Sequence, residues 1–253
     1  MTRTAGGPSA SRGTKATSQQ RPPWRAVFTR PVKREADAVA FVSALGFCTW
    51  GPVPGVRFPN LAEHMGETVY SVLGSTWFWK DDAHLDKRLY YAKVIRGQPS
   101  FFSPEYLPDF IAAIGGRGQE AERDPQRLFQ EGRLSREART IYDHLADHPA
   151  QPTRDLRRGA RLLGKDQTAA TERALTELQR RFLVCKVGLT GRTRGTYSYI
   201  WDLAELWTPE SFDEARRISV GAARARIRGQ LVDFGIDSHP GLEQRLFLWR
   251  STT

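Results

Sequence analysis

Two cysteines in 253 residues, Cys48 and Cys185, leave little room for redox or zinc chemistry. They lie far apart, no CxxC pair exists, and both are expected as reduced thiols in a cytoplasmic protein. No apolar run approaches the roughly 18–20 residues that a membrane helix requires, so no membrane partner is expected. A phosphate loop, a dinucleotide fingerprint and an HExxH pair are all missing, and no cofactor is called for. Histidine is scarce as well. His144 and His148 have the i, i+4 spacing that can hold a metal, but no third ligand is near in sequence, so they read as surface histidines and no metal is expected. No repeat of solenoid length is present.

Arginine is what the chain has in abundance. There are 31 arginines against seven lysines, and the formal net charge is +10. A GC-rich coding bias accounts for the preference for arginine but not for where the charge lies. Residues 1–24 carry four basic and no acidic residues and lack the apolar core of a signal peptide, which predicts a disordered basic tail. From Arg154 to Arg194 there are 11 basic residues against four acidic ones. Such clustering attracts phosphates and makes binding salt-dependent.

The cluster falls on a recognisable order of elements. Ser135 is a good N-cap for a helix with Ala138, Ile141, Tyr142 and Leu145 on one face. A second helix is expected from Thr153 to Gly164, with Leu156, Ala160 and Leu163 at helical spacing and the glycine as terminator. A third runs from about Asp166 to Phe182, with Leu175, Leu178 and Phe182 in one stripe. Two β-rich runs follow, 183–187 and 196–201, around a glycine-flanked tip carrying Arg192, Thr193 and Arg194. A helix able to enter a groove beside a basic hairpin is a design for binding double-stranded DNA. The candidate contacts are Lys165, Gln167, Thr168, Thr171 and Arg173 on the third helix, with Arg192, Thr193 and Arg194 on the hairpin. Arg157, Arg158 and Arg161 share one side of the second helix and either flank the phosphate track or solvate a surface.

The predicted fold is mainly α with small β hairpins, a winged helix-turn-helix in two modules. Residues 25–116 form an N-terminal helical lobe, 117–133 a polar connection, 134–207 the winged-helix domain, and 208–253 a C-terminal helix with an apolar docking tail. Within the N-terminal lobe the readings are a helix from Pro31 to Leu45 stopped by Gly46, an extended segment from Tyr70 to Trp79, a helix from Asp82 through Ile95, and another from Ser103 to Ile114.

From Leu134 onward the chain resembles the AlkZ/YcaQ family of winged-helix DNA glycosylases. The resemblance is carried by Leu134-Ser135-Arg136-Glu137-Ala138, Leu156-Arg157-Arg158, Ala174-Leu175-Thr176-Glu177-Leu178-Gln179, Tyr199-Ile200-Trp201-Asp202-Leu203 and Leu206-Trp207-Thr208-Pro209, and then by the helix at 222–227. Gly46-Phe47-Cys48 and Trp77-Phe78-Trp79-Lys80-Asp81 are similar to the AlkZ-related branch. The resemblance implies a chain of tandem winged helices that excises alkylated or crosslinked bases with a glutamine motif placed just after the first helix. Phe47-Cys48-Thr49-Trp50-Gly51-Pro52 stands there and holds neither a glutamine nor a carboxylate. The expectation is therefore a DNA-binding relative without the standard catalytic residues. Two alternatives stay open. One is an active base-excision enzyme using Asp81, Asp82 or Glu105, with tryptophans beside the acids to stack on a base. The other is a winged helix that binds a protein partner. The competing explanation for Trp77, Trp79 and Asp82 is core packing beside a helix cap, and for Cys48 a buried thiol.

Overall fold

The computed structural model describes residues 22–65, 75–114, 123–164, 166–237 and 239–249. The protein is mainly helical, with two small antiparallel sheets. The basic tail up to residue 21, Lys165 and the glycine pair after Ile114 lie outside the described residues.

The N-terminal half opens with the short helix α1 (Trp24–Val27) and with α2 (Glu35–Leu45). Here α2 begins later than Pro31, because the Asp37 carboxylate accepts from the Arg34 backbone N–H and fixes the start. It ends at Gly46, whose φ of 81° permits the reversal into β1 (Phe47–Thr49). The one-turn α3 (Ala62–Met65) follows.

Two expectations fail in the next stretch. Residues 75–79 are helical, within α4 (Ser75–Leu85), where an extended segment is predicted. Asp82 sits inside that helix rather than opening one to Ile95. The chain turns at Lys87, which has φ of 56°, and continues as β2 (Tyr90–Lys93). The cause is tertiary: Tyr90, Tyr91 and Ala92 pair with Phe102, Phe101 and Ser100 of β3 (Pro99–Phe102), and aromatic residues facing one another across strands outweigh a helical spacing. With β1 on its other side, β3 is the central strand of a three-stranded sheet, so this half is not a purely helical lobe. Helix α5 (Leu107–Ile114) covers it.

The expected polar connection contains a helix, α6 (Pro125–Gln130), capped by Asp124 and pinned by buried Leu128. Then comes α7 (Arg136–Asp147), where the Ser135 hydroxyl accepts from the Ala138 N–H and Ala138, Ile141 and Leu145 are buried. A two-residue strand, β4 (Gln151–Pro152), leads into α8 (Thr153–Gly159). This helix stops five residues before Gly164. Arg161 takes a φ of 57°, so Leu162 enters the core in place of Leu163, which is exposed. Helix α9 (Gln167–Gln179) and the hairpin β5 (Val184–Leu189) and β6 (Tyr199–Leu203) complete the region, with β6 central between β4 and β5.

A one-turn α10 (Ala204–Trp207), α11 (Pro209–Arg217), α12 (Val220–Asp233) and α13 (Pro240–Leu246) close the chain. Phe234 meets Phe47, and Phe247 meets Phe110, at ring separations of 5.3 and 5.7 Å, so the C-terminal segment packs on the N-terminal core. Two apolar clusters result. One joins the N-terminal half to α11–α13, and the other lies within α6–α9 and the hairpin. Phe182, Cys185 and Ala204 belong to the first cluster although they come from the second region, so the hairpin is sewn into both.

Candidate nucleic-acid interface

Helix α9 divides cleanly by side. Thr171, Ala174, Leu175 and Leu178 are buried at i, i+3, i+4 and i+7, while Thr168, Ala169, Glu172 and Arg173 line the open side. Thr171, expected among the DNA contacts, is only 2% exposed, and its hydroxyl donates to the Gln167 carbonyl at 2.7 Å. It is a core residue, and that expectation is corrected. Gln167 is the first residue of the helix and half-buried. The C-terminal part of α9 faces the N-terminal half: the Lys93 N–H donates to Gln179 Oε1 at 3.1 Å, and Lys93 pairs with Glu172 at 3.3 Å. Glu172 and Gln179 are thus engaged by β2, while Thr168, Ala169 and Arg173 in the first two turns stay exposed. Arg173 forms no ion pair or hydrogen bond among the described residues and borders a cleft of about 320 Å³ shared with Thr176 and Arg180.

The hairpin tip differs from the expectation of two free arginines. Arg192 is salt-bridged to Asp82 of α4 through both guanidinium nitrogens, and its guanidinium carbon lies 5.0 Å from the Phe78 ring centroid. Thr193 is exposed but its hydroxyl is shared with Thr196 at 2.8 Å, closing the turn of the loop. Arg194 is exposed and has no partner among the described residues.

Behind the tip, α4 and the hairpin enclose a polar cluster. Asp81 is 2% exposed; its Oδ2 accepts from Lys80 Nζ at 2.6 Å and from the Tyr197 hydroxyl at 2.9 Å. Asp81 Oδ1 is buried without a hydrogen-bond partner. Lys80 Nζ also reaches the Tyr197 hydroxyl at 2.9 Å, and the Tyr197 hydroxyl reaches that of Tyr199 at 2.6 Å. Lys186 lies beneath, with Nζ 3.7 Å from the Tyr91 ring centroid and 4.5 Å from that of Tyr199. A β-bulge after Lys186 sets it opposite Trp201 while Gly188 pairs with Ile200. Burial pulls the Lys186 ammonium down to about 7, with Asp81 opposing, and it pulls Lys80 down more weakly against the same carboxylate. His84 completes the seam. Its Nε2–H donates to the Lys186 carbonyl at 2.6 Å, and its Nδ1 accepts from the Tyr91 N–H at 3.2 Å. Both ring nitrogens are satisfied only by a neutral imidazole, and burial holds the pKa at about 4.

The three candidate carboxylates thus have separate surroundings. Asp81 is enclosed, Asp82 neutralises Arg192, and Glu105, 72% exposed, pairs with Arg226 at 2.6 Å. The structure joins the first two to the hairpin and leaves Glu105 elsewhere. Sequence reasoning gave no site role to Lys186, Tyr197, Tyr199 or His84. The available signals were a lysine inside an apolar strand and the alternation of Tyr197, Tyr199 and Trp201. Cys48 is fully buried, and desolvation pushes its thiol well up, away from reactivity. The His144 and His148 rings stack 4.6 Å apart, and no group of three or more potential metal ligands occurs among the described residues.

The fold and this seam define a mainly helical protein in which a basic hairpin is anchored to an N-terminal α/β half. A family model described as AlkZ related matches residues 32–247, and the chain belongs to that family. No match was found among curated proteins or among solved structures. No described helix is long and apolar enough to cross a membrane.

Proposed function

We propose that the chain is a duplex-DNA-binding protein with a DNA-glycosylase-like fold, built around a winged helix at residues 134–207. The first two turns of α9 approach a groove, and Arg173 and Arg194 meet the phosphates. The observation that carries this reading is a charge imbalance on one region. Arg154, Arg161, Arg173 and Arg194 are exposed and unpaired among the described residues. Three of the four acids in this stretch are engaged, Asp155 with Arg158, Glu172 with Lys93, and Glu177 with the Ser135 hydroxyl, while Asp166 at the start of α9 makes no cap hydrogen bond. An excess of free cations over free acids is the footprint of a phosphate-binding surface. Family membership supports the same reading.

Fluorescence anisotropy on a plain duplex over a series of salt concentrations tests it. Affinity falls steeply with salt, and Arg173→Ala with Arg194→Ala flattens the log–log slope by about two. A flat salt response, or a double substitution without effect, rejects the proposal.

A second reading, hydrolysis of an N-glycosidic bond, is favoured by the unpartnered Oδ1 of Asp81 beside half-buried Trp77 and Tyr197. Because Asp81 is enclosed, this reading requires the hairpin to move aside before that oxygen can position water or stabilise a developing sugar cation. It predicts alkali-labile sites in alkylated duplex and their loss in Asp81→Asn with DNA binding retained. Absence of such sites removes the enzymatic reading and leaves DNA binding standing.

A further inference from the structure

We propose that the cleft between α6–α7, the β6–α10 corner and α11 is a binding site for a small planar aromatic carboxylate. The cleft holds about 310 Å³, and Phe182, Leu203, Leu206 and Phe212 supply apolar walls. That volume is at the lower end of small-molecule sites and suits one or two fused rings. Leu206 stands at its edge, 63% exposed, and extends the apolar wall to the rim.

The acceptors on the polar side of the cleft are shared or turned away from its arginine. Arg123 is 14% exposed, lies 4.3 Å from the Phe212 ring centroid, and makes one contact, from Nη2 to Glu205 Oε2 at 3.3 Å. Its Nε is buried without any hydrogen-bond partner. Glu205 is itself divided between Arg123 and Arg216, whose other nitrogen bonds Asp213 at 2.6 Å. The remaining acid, Asp124, faces the α6 backbone and accepts from the Gln126 N–H at 2.9 Å. The Tyr142 hydroxyl, also on the wall, makes no hydrogen bond among the described residues. A half-buried guanidinium with one long, shared contact is under-compensated, and a carboxylate seated in the cleft against its open edge and the tyrosine hydroxyl would complete it. Apolar walls beside a guanidinium, a group that stacks on aromatic faces, favour an aromatic body over a phosphate or a sugar.

The cleft adjoins Leu183 and Leu203, the end of the hairpin opposite the Arg192–Arg194 tip. Occupancy of the cleft therefore does not require DNA, and this inference does not rest on the DNA-binding reading.

Isothermal titration of the DNA-free full-length protein with benzoate and naphthalene-2-carboxylate tests it. The controls are benzamide, cyclohexanecarboxylate and inorganic phosphate. Saturable binding of at least one aromatic acid is expected, and the amide and the non-planar acid should bind about tenfold more weakly or worse. Leu206→Asp alters an exposed position and should also weaken the acids about tenfold, while circular dichroism shows the fold intact. Arg123→Gln should reduce acid binding more than amide binding. No saturable binding by either acid overturns the proposal. So does binding untouched by Leu206→Asp, which would place the ligand elsewhere, and so does equal competition by phosphate, which would mean a bare charge site.

Discussion

Arg192 at the hairpin tip and Asp82 on α4 form a salt bridge that couples a loop of one region to a helix of the other. The bridge has two consequences. It anchors the hairpin against the N-terminal half, and it removes one cation from the set able to meet phosphate. Arg194, two residues on, is left as the free charge of the tip. Asp82→Ala releases Arg192, so duplex affinity should rise and the salt slope should steepen by about one. Arg194→Ala should act in the opposite sense. Because the Arg192–Asp82 pair is half-exposed, its loss should cost stability no more than about 1 kcal/mol. Anisotropy titrations and thermal melts on the two variants check both signs, and a fall in affinity in Asp82→Ala would contradict this account.

The two sides of α9 predict a contrast between threonine and arginine. Thr171 is buried and back-bonded to Gln167, whereas Arg173 is open. Thr171→Ala should leave DNA affinity unchanged and shift stability by about 1 kcal/mol. Arg173→Ala should weaken binding by a similar factor on all sequences, as a phosphate contact does, with little change in the melting temperature. Parallel titrations on two unrelated duplexes distinguish a phosphate contact from base reading.

Much of the helical framework was legible, and the reasons are local. Ser135 and Ser219 cap α7 and α12 through their own hydroxyls, and each helix carries its apolar stripe at the spacing that the sequence displays. Gly46 marks the end of α2 for a conformational reason visible in one residue. Strand β2 was not legible because its reason lies in β3: Tyr91 and Phe101 stack only after the chain has turned back. The seam was hidden for the same cause, since Lys80 and Tyr197 are 117 positions apart. Thr171 is a different case. Counting three, four and seven residues onward reaches Ala174, Leu175 and Leu178, so its burial was readable from spacing alone.

The enclosed seam predicts a pH dependence with a definite sign. His84 ordinarily titrates near 6.5 and is held at about 4 in the fold. Between those values the unfolded chain binds the extra proton, so stability falls as pH drops from about 6.5 toward 4 and stays lost below. For Lys186 the native value is about 7 against 10.5. Its charged form is the one penalised by burial, so stability rises with pH from about 7 upward. Lys186→Met should flatten the rise of melting temperature above pH 7, and His84→Gln the fall below pH 6.5. Nitrogen chemical shifts should report His84 as the neutral Nε2–H tautomer at pH 5. A charged ring there would refute the assignment.

Gly46 offers the sharpest test of the packing. Its φ of 81° lies where a side chain is strained, and a Cβ built there falls 2.5 Å from Tyr106 Cδ2. The ring has little freedom to yield. It contacts Phe47 at 5.6 Å between centroids, the Arg226 guanidinium sits 4.4 Å over its face, and its hydroxyl is tied to Gln230 at 2.8 Å. Gly46→Ala therefore combines left-handed strain of about 1–2 kcal/mol with an overpacking cost of about 1–3 kcal/mol. The expected loss of about 2–5 kcal/mol should appear in urea denaturation as a lower midpoint at unchanged slope. Adding Tyr106→Ala removes the clash but not the strain, so the penalty of the glycine substitution measured in that background should fall by roughly half, while an undiminished penalty would locate the whole effect in the backbone.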